Sequence, residues 1–183
     1  MNIIIISAPS GSGKTTIVKH MLTLIPQLEF STSATTRTKR DTEVPGQDYY
    51  FFSIEDFKRK IKSGDFVEYQ EVYPDQFYGT LKSEMDKIHS KNKVVILDMD
   101  VIGGAKLAKQ FKSSISIFIQ PPSIEELKKR LINRSTETKA SLKKRIDKSV
   151  LEMKYANQFD FVVINDNLET AINDTANIIR ENL

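Results

Sequence analysis

An apolar strand that runs without a spacer into a glycine-rich turn and then into an amphipathic helix admits few folds, and this 183-residue chain begins with such a segment. Asn2–Ser7 reads as the strand, and the apolar spacing of Ile17, Met21, Leu22 and Leu24 reads as the helix. Between them lies Ala8, Pro9, Ser10, Gly11, Ser12, Gly13, Lys14, Thr15, Thr16, in the context that the Walker A pattern requires. Gly11 and Gly13 let the backbone turn with its N–H groups inward, where they and the helix N-terminus hold phosphate oxygens. Lys14 adds a point charge at the β and γ phosphates, and Thr15 offers a hydroxyl to Mg²⁺. The first glycine of the pattern is here Ala8. An ordinary Gly/Ser connection is the competing reading, and Gly-Lys-Thr between strand and helix argues against it. Residues 8 to 16 are therefore candidate ATP-binding residues.

Further along, short apolar runs recur at Val94–Met99, Ile115–Ile119 and Phe161–Ile164, separated by helical spacing such as Leu107, Ala108 and Phe111. Strands alternating with helices predict a parallel sheet covered on both faces, an α/β fold. Two segments break the rhythm. From about Phe30 to Tyr78 the chain is richer in aromatics and Thr, with strand-like pieces at Tyr49–Phe52 and Phe66–Val72. Between these pieces Ser53 and Asp56 make a capping-box-like start for a helix through Lys62, which Gly64 ends. This predicts an inserted α+β lobe. The second segment, Arg134–Ala140, is polar and lies between two helices, the first capped by Ser123 with Glu126, which makes it a candidate lid. The expected organisation is one domain: a core of residues 1–31 and 81–183, a lobe at 32–80 and a lid at 134–142.

Composition removes other classes. Zero cysteines exclude a disulfide framework and a thiolate zinc site, and fit a reducing cytosol. Ile3–Ile6 is too short for a membrane span and no basic region precedes it, so neither a membrane nor a signal peptide is expected and the mature protein is expected to begin near Met1. The formal charge of +3 is spread among nearly as many acidic residues, which suits a cleft for polyanionic nucleotides without a nucleic-acid partner. Nothing in the sequence sets an oligomeric state.

Three groups of polar residues carry the remaining chemistry. Val94–Leu97 ends in Asp98 and Asp100, and a carboxylate at such a strand end organises magnesium or its waters, although a pair of helix-starting aspartates stays open. Arg37 and Arg40 lie three residues apart and Tyr49 follows nine residues later, a set suited to one phosphate dianion; a solvated basic loop is the alternative. Arg130 and Arg134 lie four apart on the helix entering the lid and Arg145 on the helix leaving it, which are either phosphate-neutralising arginines or plain solvated faces. His20 and His89 have no evident partners in the pattern.

SAPSGSGKTT, STSATTRTKR, GQDYYFF, FVEY, FYGT, ILDMD, KKRLINRSTET and VIND, in this order, resemble the guanylate kinase family from end to end. Members are similar in having SAPSG at the loop, whereas Thr42, before Glu43, stands where they usually have Gly. The resemblance implies a P-loop NTPase three-layer fold with a GMP-binding lobe and lid, and transfer of the γ-phosphoryl group of ATP to GMP, with dGMP as a further acceptor. It implies that Arg37, Arg40, Tyr49 and Tyr78 bind the GMP phosphate. Glu68, Ser33, Thr80 and Asp100 would read guanine, with Asp98 in the same acceptor group. Lys14, Arg130, Arg134 and Arg145 would neutralise charge during transfer, the arginines closing over the ATP phosphates. Asn165 and Asp166 are similar to the family's adenine-side residues. Mg²⁺ would sit at Thr15, with Asp98 acting through water, in a cytoplasmic enzyme of purine nucleotide recycling.

The base chemistry agrees with this reading. Guanine shows N1–H and N2–H₂ donors beside O6, so a carboxylate accepts two hydrogen bonds where adenine N1 would be repelled, a discrimination of about 10⁴ or more. Both lobe and lid are expected to be mobile and to close before transfer, excluding water. Two rivals are a scaffold module that keeps the fold only to bind protein partners, and a P-loop kinase with another acceptor. Intact Lys14, Thr15, Arg134 and Arg145 speak against the first, and Glu68, Ser33 and the Tyr-Gly-Thr segment against the second.

Overall fold

A computed structural model describes residues 3–134 and 139–183. The centre of the expected lid, 135–138, and the Arg134 side chain lie outside the described residues. The chain divides into two compact units, one comprising residues up to Leu28 with Ile96–Leu183, the other Glu29–Val95. The chain positions expected for the inserted lobe, 32–80, fall within the second.

The first unit begins with β1 (Ile3–Ser7) and α1 (Lys14–Leu24). Every residue of β1 is buried, as expected for a strand covered on both faces. After the second unit the chain continues through β7 (Val94–Met99), α4 (Val101–Gln110), β8 (Ile115–Gln120), α5 (Ile124–Arg134), α6 (Lys139–Met153), β9 (Phe161–Ile164) and α7 (Leu168–Asn182). With β2 (Leu28–Phe30), these strands form a five-stranded sheet of order β2-β7-β1-β8-β9, in which β8 pairs parallel with both β1 and β9. The crossed order is that of a doubly wound sheet whose loops gather at the strand C-termini, where ligands bind. Gly104 on α4 lets that helix approach β1 closely, because a Cβ there would collide with Ser7 Oγ.

One detail of α1 departs from the expected apolar face. Its buried residues are Ile17, Val18 and Met21, while Leu24 is exposed. The helix ends at Leu24 and the cap residue Ile25, with φ −128° and ψ 89°, turns into the core in its place.

The second unit holds β3 (Ala34–Thr35), β4 (Tyr50–Phe51), α2 (Ile54–Lys62), β5 (Phe66–Tyr73), β6 (Gln76–Leu81) and α3 (Lys82–His89). Its own four-stranded sheet has order β4-β3-β6-β5, with β3 and β4 parallel and the other pairs antiparallel. Ser53 caps α2 by accepting from Asp56 N–H (3.0 Å), and Gly64, at φ +69°, follows its end. Phe57 of α2 stacks on Phe66 and Phe77, with centroids 4.3 and 5.4 Å away, and these rings with Ala34 and Leu81 make a separate apolar core. Phe66 pairs with Leu81 on that core side, yet Glu68, two residues on, pairs with Thr80. The register shift between Phe66 and Glu68 breaks the simple alternation and releases Glu68 from the core face.

Candidate active site

The first unit presents a glycine-rich turn between the end of β1 and the start of α1. Ser12 N–H donates to Pro9 O (3.2 Å), closing the turn, and Gly11 and Gly13 adopt φ of +90° and +91°. At Gly13 a Cβ would also collide with Asn165 Nδ2, so glycine is required there for both reasons. Gly13 is the N-cap of α1 and supplies no side-chain acceptor, and the first turn carries no acidic residue. Helix N–H groups left in this way form a site for an anion.

Lys14 Nζ donates to Met99 O (2.6 Å) and pairs with the Asp98 carboxylate. The charge that phosphates would require is thus held at the C-terminal end of β7. Asp100 acts differently. Its Oδ1 accepts from Ile102 N–H (3.0 Å) and Gly103 N–H (2.9 Å), capping α4. Of the two open readings of this aspartate pair, the helix-starting one holds for Asp100, while Asp98 pairs with Lys14.

Side chains from three further elements brace the loop. Asn165, buried after β9, donates from Nδ2 to Ser12 O (2.7 Å), and Arg130 Nη1 donates to Asn165 O (3.0 Å) while its Nε reaches Glu126 (3.1 Å). From α6, Arg145 Nη2 donates to Ser10 Oγ (2.8 Å) and Ser149 Oγ to Ser10 O (3.4 Å). Beside the loop opens a groove of about 350 Å³, lined among others by Gly11, Thr16, Arg130, Asn165 and Asp166.

Glu152 is an acidic residue that no sequence pattern singles out. Its side chain on α6 is 10% exposed and pairs with Lys148 at 3.6 Å. Burial pushes its carboxyl above the ordinary value, against the pull of Lys148. A raised carboxyl contributes stability that is complete below the unfolded-state value and is lost as pH rises through the folded one. Glu152→Gln is therefore expected to raise the melting temperature relative to the parent protein, by an increment that is small near pH 4 and grows toward about pH 8. Thermal melts across that range check it; an increment independent of pH would contradict it.

In the second unit, Arg37 lies over the Tyr49 ring (5.0 Å to its centroid), and the Tyr49 and Tyr78 rings meet edge-on at 6.0 Å. Gln76 Nε2 donates to Tyr78 Oη (3.0 Å), leaving the phenol proton to be given elsewhere. The Arg37 guanidinium forms a two-pronged ion pair with Glu43, at 2.8 and 2.6 Å, which holds the Glu43 carboxyl down at about 2. The Arg40 side chain is exposed, while its N–H donates to Glu43 Oε2 (2.8 Å). Thr80 Oγ1 donates to Glu68 Oε1 (2.9 Å) across the β5–β6 pair. Gly79 permits this pairing, since a Cβ there would stand 2.8 Å from Glu68 O. Ser33 O accepts from Tyr50 N–H (2.9 Å), which ties the start of β3 to β4.

Arg37, Tyr49 and Tyr78 are thus brought together, as are Glu68 and Thr80, while Asp98 and Asp100 belong to the first unit with Lys14. Glu43, Gln76, Ser149 and Glu152 were missed from sequence, because each acts through a neighbour and none sits in a pattern with chemistry of its own.

The parallel sheet, the glycine turn and the uncapped helix with Lys14 at its start define a protein of the P-loop class, built to hold phosphate. The guanylate kinase family model matches residues 1–182. A guanylate kinase of Bacteroides thetaiotaomicron is 47% identical over 180 residues, covering 98% of this chain and 88% of that one. Another, of Salinibacter ruber, is 45% identical and covers 98% of this chain and 96% of its own. The crystal structure of guanylate kinase from Anaplasma phagocytophilum is similar with a TM-score of 0.76 at 29% identity, covering 98% and 84% of the two chains. The chain belongs to the guanylate kinase family and has guanylate kinase activity.

Proposed function

We propose that the first unit holds ATP on its glycine loop and the second holds GMP, with Arg37, Arg40, Tyr49 and Tyr78 on the phosphate and Glu68, Thr80 and Ser33 on the base. The observation that carries this reading is the convergence of Arg37, Tyr49 and Tyr78 in the same unit that pairs Glu68 with Thr80. A guanidinium and two phenols suit a phosphate dianion, and a carboxylate with a neighbouring hydroxyl suits the guanine edge.

An acceptor phosphate is already ionised near neutral pH, so the reaction needs no general base from the protein; positioning and charge neutralisation carry it. Lys14, Arg130, Arg145 and Arg134 are the cations proposed for that neutralisation. The groove beside Thr16, Asn165 and Asp166 suits the adenine ring. Asn165 would serve there chiefly by fixing Ser12 of the loop.

Mg²⁺ fits the donor set. The Thr15 hydroxyl is exposed at the start of α1 and the Asp98 carboxylate lies with Lys14, both hard oxygen donors. Among the described residues no group of three or more His, Asp or Glu forms a closed cage, so the ion would rely on substrate phosphates and water, as magnesium usually does. Bound there, it would supply neutralisation of phosphate charge. dGMP is proposed as a second acceptor, because the residues assigned to GMP meet its phosphate and base and none is assigned to a 2′-hydroxyl. Among the described residues no helix is long and apolar enough to cross a membrane, and with no cysteine in the chain a cytoplasmic location is proposed.

Arg37→Ala and Tyr49→Phe test the division of labour. Both are expected to raise KM for GMP and leave KM for ATP nearly unchanged, with the larger effect for Arg37 because a charge-assisted contact is worth about twice a neutral one. Steady-state kinetics with each substrate varied in turn checks this. A rise in KM for ATP instead would show that the donor and acceptor roles are assigned to the wrong units.

A further inference from the structure

Arg37 carries five N–H donors, and their partners decide which edge of the guanidinium remains for a ligand. One Nη1 hydrogen goes to Glu43 Oε2 (2.8 Å) and the other to Thr38 O (2.9 Å). One Nη2 hydrogen goes to Glu43 Oε1 (2.6 Å). The terminal edge, between Nη1 and Nη2, is therefore filled. The Nε–H and the second Nη2 hydrogen lie side by side on the lateral edge and themselves form a fork suited to two oxygens, and the guanidinium has one further hydrogen-bond partner, the Tyr78 side chain.

Glu43 is held as firmly as the arginine it holds. Its Oε2 also accepts from Arg40 N–H (2.8 Å), and its own N–H donates to Arg40 O (3.1 Å), closing the turn 40–43. Lys39 Nζ donates to Glu43 O (3.1 Å). Both members of the ion pair are largely shielded, at 14% and 13% side-chain exposure. The flat face of the guanidinium rests over Tyr49 and Phe51, at 5.0 and 5.6 Å, so rotation about its own plane is the freedom left to Arg37, and Glu43 removes it.

We propose that Glu43 is a positioning residue for the acceptor nucleotide: by occupying the terminal edge of Arg37 it aims the lateral edge, beside Tyr49 and Tyr78, at the phosphate of GMP. The inference rests on the reading of Arg37 as a GMP phosphate ligand and adds a residue that does not touch the substrate. It also has a sign. A carboxylate acting only as a nearby negative charge would weaken phosphate binding, and removing it would tighten GMP. A positioning carboxylate does the opposite.

A double-mutant cycle decides between them, with KM for GMP, KM for ATP and the melting temperature measured for the parent protein, Glu43→Gln, Arg37→Ala and the pair. Gln keeps the size but turns one acceptor into a donor facing the guanidinium, so Glu43→Gln is expected to raise KM for GMP about tenfold or more and to move KM for ATP less than about twofold. On the Arg37→Ala background the same change is expected to alter KM for GMP less than about twofold, because the group it acts through is gone. An unchanged or lowered KM for GMP in Glu43→Gln, or an equal increase on both backgrounds, overturns the proposal. Arg37→Ala that leaves KM for GMP unchanged fells the phosphate-site reading itself, and that result is visible without any Glu43 variant. If Glu43→Gln folds poorly, Glu43→Asp keeps the charge with a shorter reach, and the same cycle is run with it: a smaller rise in KM for GMP, again absent on Arg37→Ala, is expected, and equal rises on both backgrounds overturn the proposal.

Discussion

Lys14→Ala is expected to lower kcat by about 10³-fold or more, a loss of about 4 kcal/mol of transition-state stabilisation, while the fold survives. Two effects act in the same direction. The ammonium that would follow charge onto the β and γ phosphates is removed. Its partner, the Asp98 carboxylate, is left at the end of β7 without that cation, where it repels the incoming triphosphate. The side chain contributes little to the apolar core, since its partners are the Asp98 carboxylate and a backbone carbonyl at the end of β7, and Asp98 keeps enough exposure, 21%, to be hydrated once the ammonium is gone. Turnover and thermal melting measured together check this: kcat should collapse with the melting temperature within a few degrees of the parent's. Retention of more than about a tenth of kcat would mean that the phosphates are held by other groups.

The parts of this molecule most legible in the sequence are those where local chemistry and periodicity coincide. Ile3–Ser7 and the turn to Lys14 could be read because an all-apolar strand, two glycines and a lysine at fixed offsets have few other uses. Helix α2 was legible because Ser53, Asp56 and Gly64 mark its ends independently of its packing. Asp100 could not be separated from Asp98 in advance: both follow the same strand, and only the backbone path decides which carboxylate caps α4 and which meets Lys14.

Glu68 shows the limit more sharply. Strict alternation along β5 would place it on the same face as Phe66, in the apolar core, and only the register shift between them turns it toward Thr80. No propensity encodes that shift, and the family resemblance alone marked the residue. Glu43 was illegible for a related reason. Its partner lies six positions back across a turn, and nothing in the intervening residues indicates that the turn folds the two together.

Glu68→Gln is the other change with a large expected effect, and it bears on the reading of the base. Thr80 Oγ1 donates to Glu68 Oε1 (2.9 Å), so a glutamine satisfies Thr80 with its only carbonyl oxygen. Its NH₂ group then stands where the carboxylate had its second acceptor and opposes a guanine donor. The loss of one charge-assisted pair plus an opposed donor is expected to cost about 2 to 4 kcal/mol, or about 30- to 1,000-fold in kcat/KM for GMP. AMP has a lone pair at N1 and no amine at C2, so its poor kcat/KM should stay the same or rise slightly as the repulsion is relieved. The core of the second unit is made by Ala34, Phe57, Phe66, Phe77 and Leu81 and does not include Glu68, so the fold should be unaffected.

Base selection by Glu68 is decided by the ratio of kcat/KM for GMP to that for AMP, measured at saturating ATP and magnesium for the parent protein and for Glu68→Gln. A strong preference for GMP is expected in the parent, narrowed about 30-fold or more in the variant through loss on the GMP side. A ratio left unchanged by the substitution would remove Glu68 from the base-reading site.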